Sequence, residues 1–111
     1  MRYNIEFANI ADIDLRCIYE YIAFTLLEPV IAIGQLERIE KAIYSLDEMP
    51  ERFRLYDKEP WKRRNLRQMP VDNYVVFYIL ESETKIVTII RVMYGGMDID
   101  NQLKNTQYGV E

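Results

Sequence analysis

The chain has 111 residues, of which half are hydrophobic and 29% are charged, and its formal net charge is −4. This composition is typical of one soluble globular domain and excludes a disordered chain. With one cysteine, Cys17, and no histidine, it also excludes an intramolecular disulfide and histidine-dependent catalysis, so we predict no metal site and no cofactor.

Membrane and export signals are missing from the sequence pattern. No apolar run reaches the ~18 residues that cross a bilayer. The N-terminal stretch MRYNIEFANIADID lacks the apolar core of a secretion signal. These features predict a cytoplasmic protein with no membrane partner.

The first predicted elements are a strand and a helix. Residues 3–8 alternate the apolar Tyr3, Ile5 and Phe7 with polar side chains, which predicts a half-buried strand. A helix follows, capped by Asn9 or Asp12, with apolar side chains recurring at three- and four-residue steps: Leu15, Ile18, Ile22 and Leu26. This helix should end near Glu28, because the proline at position 29 disfavours helical geometry in the residue before it.

A second amphipathic helix is predicted to begin at Pro29, since proline suits the first turn of a helix. Its apolar side is formed by five residues: Ile33, Leu36, Ile39, Ile43 and Leu46. The short link between the helices predicts an antiparallel hairpin, and both apolar stripes need a sheet to cover them.

The C-terminal half is predicted to be a loop followed by three strands. Periodicity is lost over residues 49–64, which include two prolines. Residues 65–71, 74–80 and 85–94 are rich in β-branched and aromatic side chains and are separated by tight-turn residues, which predicts an antiparallel meander. We therefore predict an α+β fold with one four-stranded sheet, a domain over residues 1–96, and a polar C-terminal tail over 97–111. The helices should cover one sheet face and leave the other open.

Positive charge is concentrated in residues 51–68, which we call the basic segment. It holds seven cations and three anions, so it carries 7 − 3 = +4, and the rest of the chain carries 7 − 15 = −8. This asymmetry is compatible with an anion-binding surface or with an ordinary solvated loop.

The order of elements, together with LRQMPVDNYVVFYIL and TIIRVMYGGMD, resembles the RelE/ParE superfamily of bacterial toxin-antitoxin toxins over about residues 3–98. The resemblance implies a small toxin held silent by a cognate antitoxin protein. In the RelE branch the toxin cuts messenger RNA on the ribosome without a metal; in the ParE branch it inhibits DNA gyrase. A degenerate, non-toxic member that only binds its antitoxin is a third alternative.

The resemblance also suggests site residues. Arg67 matches a basic residue common in the second strand, and Tyr94 stands where some relatives have a functional tyrosine or histidine. Val75 replaces an arginine frequent in RelE-like nucleases, and Met97 follows Gly96 where many relatives have an arginine.

For RNA cleavage, cations must stabilise the developing phosphorane charge, and a proton donor must serve the leaving oxygen. We therefore name Arg67, Tyr94 and Arg91 as candidate catalytic residues, although each arginine could equally be a structural ion-pair partner. The candidate nucleic-acid-binding residues are Lys62, Arg63 and Arg64 by charge and Trp61 by base stacking, while a lone tryptophan is more often part of a core edge.

Overall fold

The computed structural model describes residues 2–106 of the chain. Four strands form one sheet in the order β1-β4-β3-β2: β1 is Asn4–Phe7, β2 is Arg67–Val71, β3 is Tyr74–Glu81 and β4 is Ile86–Tyr94. Three helices accompany them: α1 is Asn9–Glu20, α2 is Pro29–Tyr44 and α3 is Ile99–Lys104. The predicted α+β fold with a helical hairpin and a single four-stranded sheet is confirmed.

The sheet is mixed in direction. β2, β3 and β4 form the predicted antiparallel meander, and β1 lies parallel to β4 on its other side. β4 is therefore a central strand, which agrees with its nearly continuous run of buried apolar residues.

A β-bulge in β4 changes which side chains face the helices. Phe77 pairs with Arg91 while Tyr78 pairs with Ile89, so Ile90 is the extra residue. The alternation shifts by one after the bulge, and Val92 joins Ile89 on the helical side of the sheet. Arg91 is consequently kept out of the core beneath the helices.

The larger core lies between the helical hairpin and the sheet. It contains fully buried side chains from α1, α2 and all three meander strands, among them Ala11, Ile39, Ile43, Met69, Tyr78 and Ile89. Burying such a set removes enough apolar surface from water to account for most of the driving force for folding.

The opposite sheet face carries a second core, which corrects the prediction that this face is open. Tyr56, Trp61 and Leu66 from the segment before β2 pack there against Phe77 and its β4 neighbours. Helix α3 completes the cover through Leu103, which is 1% exposed. The predicted polar tail therefore includes, in its described part, a short helix with a core contact; residues 107–111 lie outside the described residues.

The helices also depart from the prediction at the hairpin tip. α1 ends at Glu20, and a π-helical turn follows over Tyr21–Thr25. In this turn the Leu26 amide donates to the Tyr21 carbonyl oxygen at 2.9 Å. Because a π-helical turn contains more residues than an α-helical turn, the side chains after it no longer follow the α-helical period. Leu26 is 50% exposed as a result, and Ile33 in α2 is 49% exposed, so neither is the core residue that the periodicity predicts.

One contact holds the end of the meander against the helices. Asp72, in the turn between β2 and β3, has φ 55°, a conformation that aspartate tolerates better than most residues. Its carboxylate accepts from Gln35 at 3.0 Å and from Arg38 at 2.8 Å, both on α2. The Arg38 guanidinium and the Gln35 amide hold the pKa of this carboxyl below its usual range.

Within residues 2–106, no helix is both long enough and apolar enough to cross a membrane.

Tyr78 provides a test of the larger core. Its buried hydroxyl donates to the Pro50 carbonyl oxygen at 2.6 Å, and burial raises the pKa of Tyr78 to about 12. An unfolded tyrosine has a pKa of about 10. Between about pH 10 and 12 the unfolded chain therefore loses this proton first, and the Tyr78 contribution to the free energy of unfolding falls as pH rises.

We expect Tyr78→Phe to lower the free energy of unfolding at pH 7 by about 1 kcal/mol, because the Pro50 carbonyl loses its donor. The part of the alkaline loss that Tyr78 causes, on the order of 2 kcal/mol, should be absent from the variant, whereas the part caused by Tyr56 and Tyr74, whose pKa values burial also raises, should remain in both proteins. Urea unfolding from pH 9 to 12 measures both effects. Tyr44→Phe, at an exposed position, should change the pH 7 value by less than about 0.5 kcal/mol. Parallel curves for the native chain and Tyr78→Phe would contradict the assignment.

Candidate functional site

The cations of the basic segment are mostly engaged within the chain. Lys58 pairs with Asp100 of α3, Lys62 pairs with Asp57 at 3.4 Å, and Arg63 pairs with Glu59 at 3.3 Å. The Lys58 ammonium and the Tyr56 hydroxyl hold the pKa of the Asp100 carboxyl below its usual range. The segment is therefore partly neutralised by nearby carboxylates. Exposed pairs of this kind contribute little free energy, so a polyanion could displace them.

Trp61 belongs to the second core. It is 3% exposed, and the guanidinium of Arg64 lies 5.0 Å from the centre of its ring. A base could reach this ring only if the segment moved away from the sheet. The burial argues against the predicted stacking role and favours Trp61 as the anchor of the basic segment.

Arg67 secures the loop before β2. Its Nη1 donates to the Phe53 carbonyl oxygen at 2.6 Å and to the Glu51 carbonyl oxygen at 3.1 Å, and its Nε is buried without a partner among the described residues. The side chain lies near Tyr78, on the sheet side that carries the helices. A guanidinium that donates to main-chain carbonyls in this way stabilises the loop, and Arg67 as a whole is partly buried.

Arg91 forms a buried ion pair with Asp14 of α1. Nε and Nη2 of Arg91 donate to the two carboxylate oxygens at 2.7 and 2.9 Å, and Nη1 donates to Thr106 at 2.8 Å. The Asp14 carboxylate also accepts from the Val92 amide at 2.9 Å. The side chains are only 10% and 12% exposed, so this bidentate pair is largely removed from water. Arg91 therefore links α1, β4 and Thr106, which lies two residues after the end of α3.

Tyr94 is the most exposed of the three candidate catalytic residues. It ends β4, is 52% exposed, and meets Tyr74 edge to face with ring centroids 6.0 Å apart. A Cβ on Gly96 would lie 2.6 Å from Cε2 of Tyr94, so the glycine leaves room for this ring. Burial, followed by the neighbouring Tyr94 and Tyr21, raises the pKa of Tyr74. Three tyrosines therefore meet at this end of the sheet.

The three candidate catalytic residues do not form one constellation. Arg67 pairs in register with Tyr78, whereas Tyr94 pairs with Tyr74, which lies four residues earlier in β3. At ~3.3 Å per residue these rows are about 13 Å apart. Arg91 has its guanidinium in the buried pair with Asp14. General acid–base catalysis needs its groups within hydrogen-bond reach of one substrate, and the separation of these main-chain positions disfavours a joint role for the three side chains.

A concave apolar groove lies between α1, the hairpin tip and the end of β4. Its volume is about 620 Å³, and its walls include Cys17, Ile18, Tyr21, Leu26, Val92 and Tyr94. The charged side chains in its wall, Asp14 and Arg91, neutralise each other. A groove of this kind suits an apolar, uncharged ligand segment.

Apolar exposure continues from the groove onto the hairpin tip. Phe24, Leu27 and Val30 are 66%, 76% and 81% exposed, and Tyr21 and Ile31 contribute to both surfaces. Large contiguous apolar surfaces are uncommon on monomeric proteins and mark sites of protein association. The geometry thus points to binding of a polypeptide at this end of the molecule.

Comparison with known proteins decides the family. The sequence pattern described as "ParE toxin of type II toxin-antitoxin system, parDE" matches residues 5–99. The chain belongs to this toxin family. No curated protein sequence matches it.

Solved structures of similar toxins agree with the fold. The chromosomal ParDE toxin-antitoxin system from P. aeruginosa has a TM-score of 0.68 at 17% identity, over 84% of this chain and 96% of that one. The RelBE2 toxin-antitoxin complex from Mycobacterium tuberculosis has a TM-score of 0.60 at 21% identity, over 85% and 99%. A free mutant of the E. coli toxin RelE has a TM-score of 0.63 at 15% identity, over 96% and 95%. At these identities the structures show a common fold.

Sequence reasoning missed two features of this toxin's site. Asp14 was not identified, because a single aspartate in a helix carries no local signal of a partner 77 residues away. The groove was not identified either, because the π-helical turn that shapes its rim interrupts the helical period. The sequence did contain one signal for the groove, namely the apolar residues Phe24, Leu27 and Val30 on either side of Pro29. The chain changes direction there, so these side chains cannot all be buried against one surface.

Removing Asp14 should be strongly destabilising. Asp14→Ala leaves the buried Arg91 charge and the Val92 amide without acceptors, and we expect a loss of about 3–5 kcal/mol in the free energy of unfolding. Arg38→Ala breaks the exposed pair with Asp72 and should cost less than about 1 kcal/mol. Urea unfolding of the native chain, Asp14→Ala and Arg38→Ala measures these changes in the free energy of unfolding. Similar losses in the free energy of unfolding of both variants would contradict the expected difference between the buried and the exposed ion pair.

Gly96→Ala should displace the Tyr94 ring without unfolding the protein. The added methyl group overlaps the ring edge, so the ring must turn, and the nuclear Overhauser effects between Tyr74 and Tyr94 should weaken. The stability change should stay below about 1 kcal/mol. Gly34→Ala is the matched control: its nearest neighbour would be Nη1 of Arg38 at 3.5 Å, an ordinary contact, and it should stabilise α2 by ~0.5–1 kcal/mol. Unchanged ring contacts in Gly96→Ala would contradict the packing described.

Proposed function

We propose that this toxin arrests growth by binding a protein target and not by cutting RNA, and that the target is DNA gyrase, as its ParE-type sequence implies. The observation that carries the proposal is the engagement of the arginines. Arg67 is held by main-chain carbonyls and Arg91 by Asp14, while Tyr94 lies about 13 Å from the row of Arg67. Binding, in contrast, needs only an accessible complementary surface.

The toxin is proposed to be neutralised by a cognate antitoxin that covers the apolar groove. One of the similar solved structures is named a toxin-antitoxin complex, and another is a ParDE toxin-antitoxin system. In this chain the groove and the hairpin tip present apolar surface that a partner would remove from water. Covering this end of the molecule would also bury Tyr94.

Ribosome-dependent cleavage of messenger RNA is the second candidate function. It is favoured by Lys62 and Arg63, whose side chains are 55% and 73% exposed and paired only with surface carboxylates. The similar RelE structure adds weight to it through the shared fold. In this alternative Tyr94 supplies a proton, and the basic segment contacts phosphates with a strong dependence on salt.

One experiment separates the two candidates. Purified toxin is added to a gyrase supercoiling assay and, in parallel, to a translating extract whose message is mapped by primer extension. We expect inhibited supercoiling, accumulated cleaved DNA and intact message. Tyr94→Phe should retain the inhibition, because the ring and its packing remain. Cuts at fixed codon positions that are lost at least ~100-fold in Tyr94→Phe, with gyrase unaffected, would establish the second candidate instead.

A further inference from the structure

The outer side of the hairpin tip is an apolar surface that is separate from the wall of the groove. Phe24, Leu27 and Val30 are the most exposed large apolar residues of the hairpin, and none of the three belongs to the groove wall. We call these three residues the outer tip. They lie on both sides of the link between the helices, so all three are at the same end of the hairpin.

Leu27 adopts a backbone conformation that a leucine does not favour. Its φ is 59°, in the left-handed region, where residues other than glycine, asparagine and aspartate are uncommon. The residue follows the π-helical turn, and the next amide, that of Glu28, donates to the Ile22 carbonyl oxygen at 3.0 Å. Glycine or asparagine commonly occupies such a position after a helix. Folding of the hairpin alone therefore favours a residue other than leucine at this position.

The Leu27 side chain also contributes little to the stability of the fold. It is 76% exposed, and it belongs to none of the hydrophobic clusters formed by the described residues. A residue that is held in a sparsely populated conformation, without burial to compensate for it, points to a role outside the fold. Burial of Leu27 against a partner would provide that compensation.

Charge at this end of the molecule restricts the choice of partner. Residues 17–37 contain three glutamates and no lysine or arginine. Two of these glutamates, Glu20 and Glu28, stand on either side of Phe24 and Leu27 in the chain. Neither forms an ion pair within residues 2–106. The outer tip is therefore apolar and bordered by uncompensated negative charge.

Two kinds of occupant fit this surface poorly. An anionic membrane surface would repel the glutamates, since segments that lie on membranes normally carry lysine and arginine. A second copy packed tip to tip would bring the glutamates of both chains together, and like charges across an interface are unfavourable. A protein with an apolar pocket bordered by lysine or arginine would match both the apolar character and the charge of the tip.

We propose that the outer tip is the surface with which this toxin binds its target, and that Leu27 enters an apolar pocket bordered by cationic side chains on the target protein. The inference rests on the proposed function, which supplies the target. Tyr21 and Ile31 are exposed beside the outer tip and also line the groove, so an antitoxin in the groove would compete with the target for them. Neutralisation then needs no contact with Leu27 itself.

Leu27→Asn separates a role in binding from a role in folding. Asparagine tolerates the left-handed conformation, so the melting temperature should be unchanged or higher by up to ~5 °C. The affinity for purified gyrase, measured by surface plasmon resonance, should fall ~10–100-fold, because a leucine side chain is no longer buried. Inhibition of supercoiling should weaken in parallel. A folding defect cannot produce lower affinity together with undiminished stability.

Met49→Asn is the matched control for the conformation. Met49 also has a left-handed φ, 50°, and is 70% exposed, but it lies beyond the opposite end of α2. Its replacement should change the affinity for gyrase by less than ~2-fold.

The charge of the tip is tested by Glu28→Lys, with Glu40→Lys as the control at another exposed position of α2. Glu28→Lys should lower the affinity for gyrase at least ~5-fold, and Glu40→Lys should lower it less than ~2-fold. Equal effects of the two substitutions would contradict a cationic border on the target.

Each other outcome overturns the proposal in a recognisable way. Native affinity of Leu27→Asn for gyrase removes the outer tip from the target interface and leaves the proposed function intact. A lower melting temperature of this variant means that Leu27 serves the fold. Self-association of the native chain that Leu27→Asn abolishes, with gyrase binding unchanged, assigns the tip to a second copy. Absence of gyrase binding by the native chain removes both the inference and the proposed target.

Discussion

The central strand β4 is buried on both faces. Near its end it has no neighbouring strand on the β1 side, and the Asp14 side chain of α1 bonds to it there instead. Asp14 accepts two bonds from Arg91 and one from the Val92 amide, so a single carboxylate joins α1 to the end of the sheet. Its side chain is 12% exposed, and the guanidinium beside it compensates for its removal from water. Because Arg91 also donates to Thr106, the same contact fixes where the chain lies after α3. The groove lies beside this contact, where β1 has ended at Phe7 while β4 continues to Tyr94.

The two sheet faces are covered by different parts of the chain. Both covers stabilise the fold, while the accessible apolar surface lies elsewhere, at the hairpin tip and in the groove. One face is closed by the helical hairpin, the other by the basic segment and α3. Trp61 and Arg67 hold the basic segment in place, so its positive charge is presented from a well-anchored loop whose carboxylates already offset much of it. Accessible apolar surface is instead concentrated at the hairpin tip and in the groove. A toxin that works by binding needs this second kind of surface, and it also needs a partner to cover it until release.

Tyr94 shows how a small local feature can present one side chain. Gly96 leaves space for the ring, Tyr74 supports it from the neighbouring strand, and the Met97 amide closes the turn that follows. An aromatic ring that is fixed in orientation and half exposed loses little conformational entropy on binding, which is the property of residues that dominate interfaces.

The sequence by itself determined the elements and the family. Alternation in residues 3–8 and in the three C-terminal segments identified the strands, and the helical period with Pro29 identified the hairpin, because these patterns reflect local geometry and burial on one side. Tertiary structure alone decided the rest. The bulge at Ile90 sends Arg91 away from the helical core, the partner of Arg91 lies 77 residues earlier, and the second core recruits Trp61 and Leu103 from a loop and a short helix. The physical reason is that a side chain's charge, exposure and role depend on neighbours that are distant in sequence. Local periodicity contains no record of which of those neighbours the fold brings within hydrogen-bond reach.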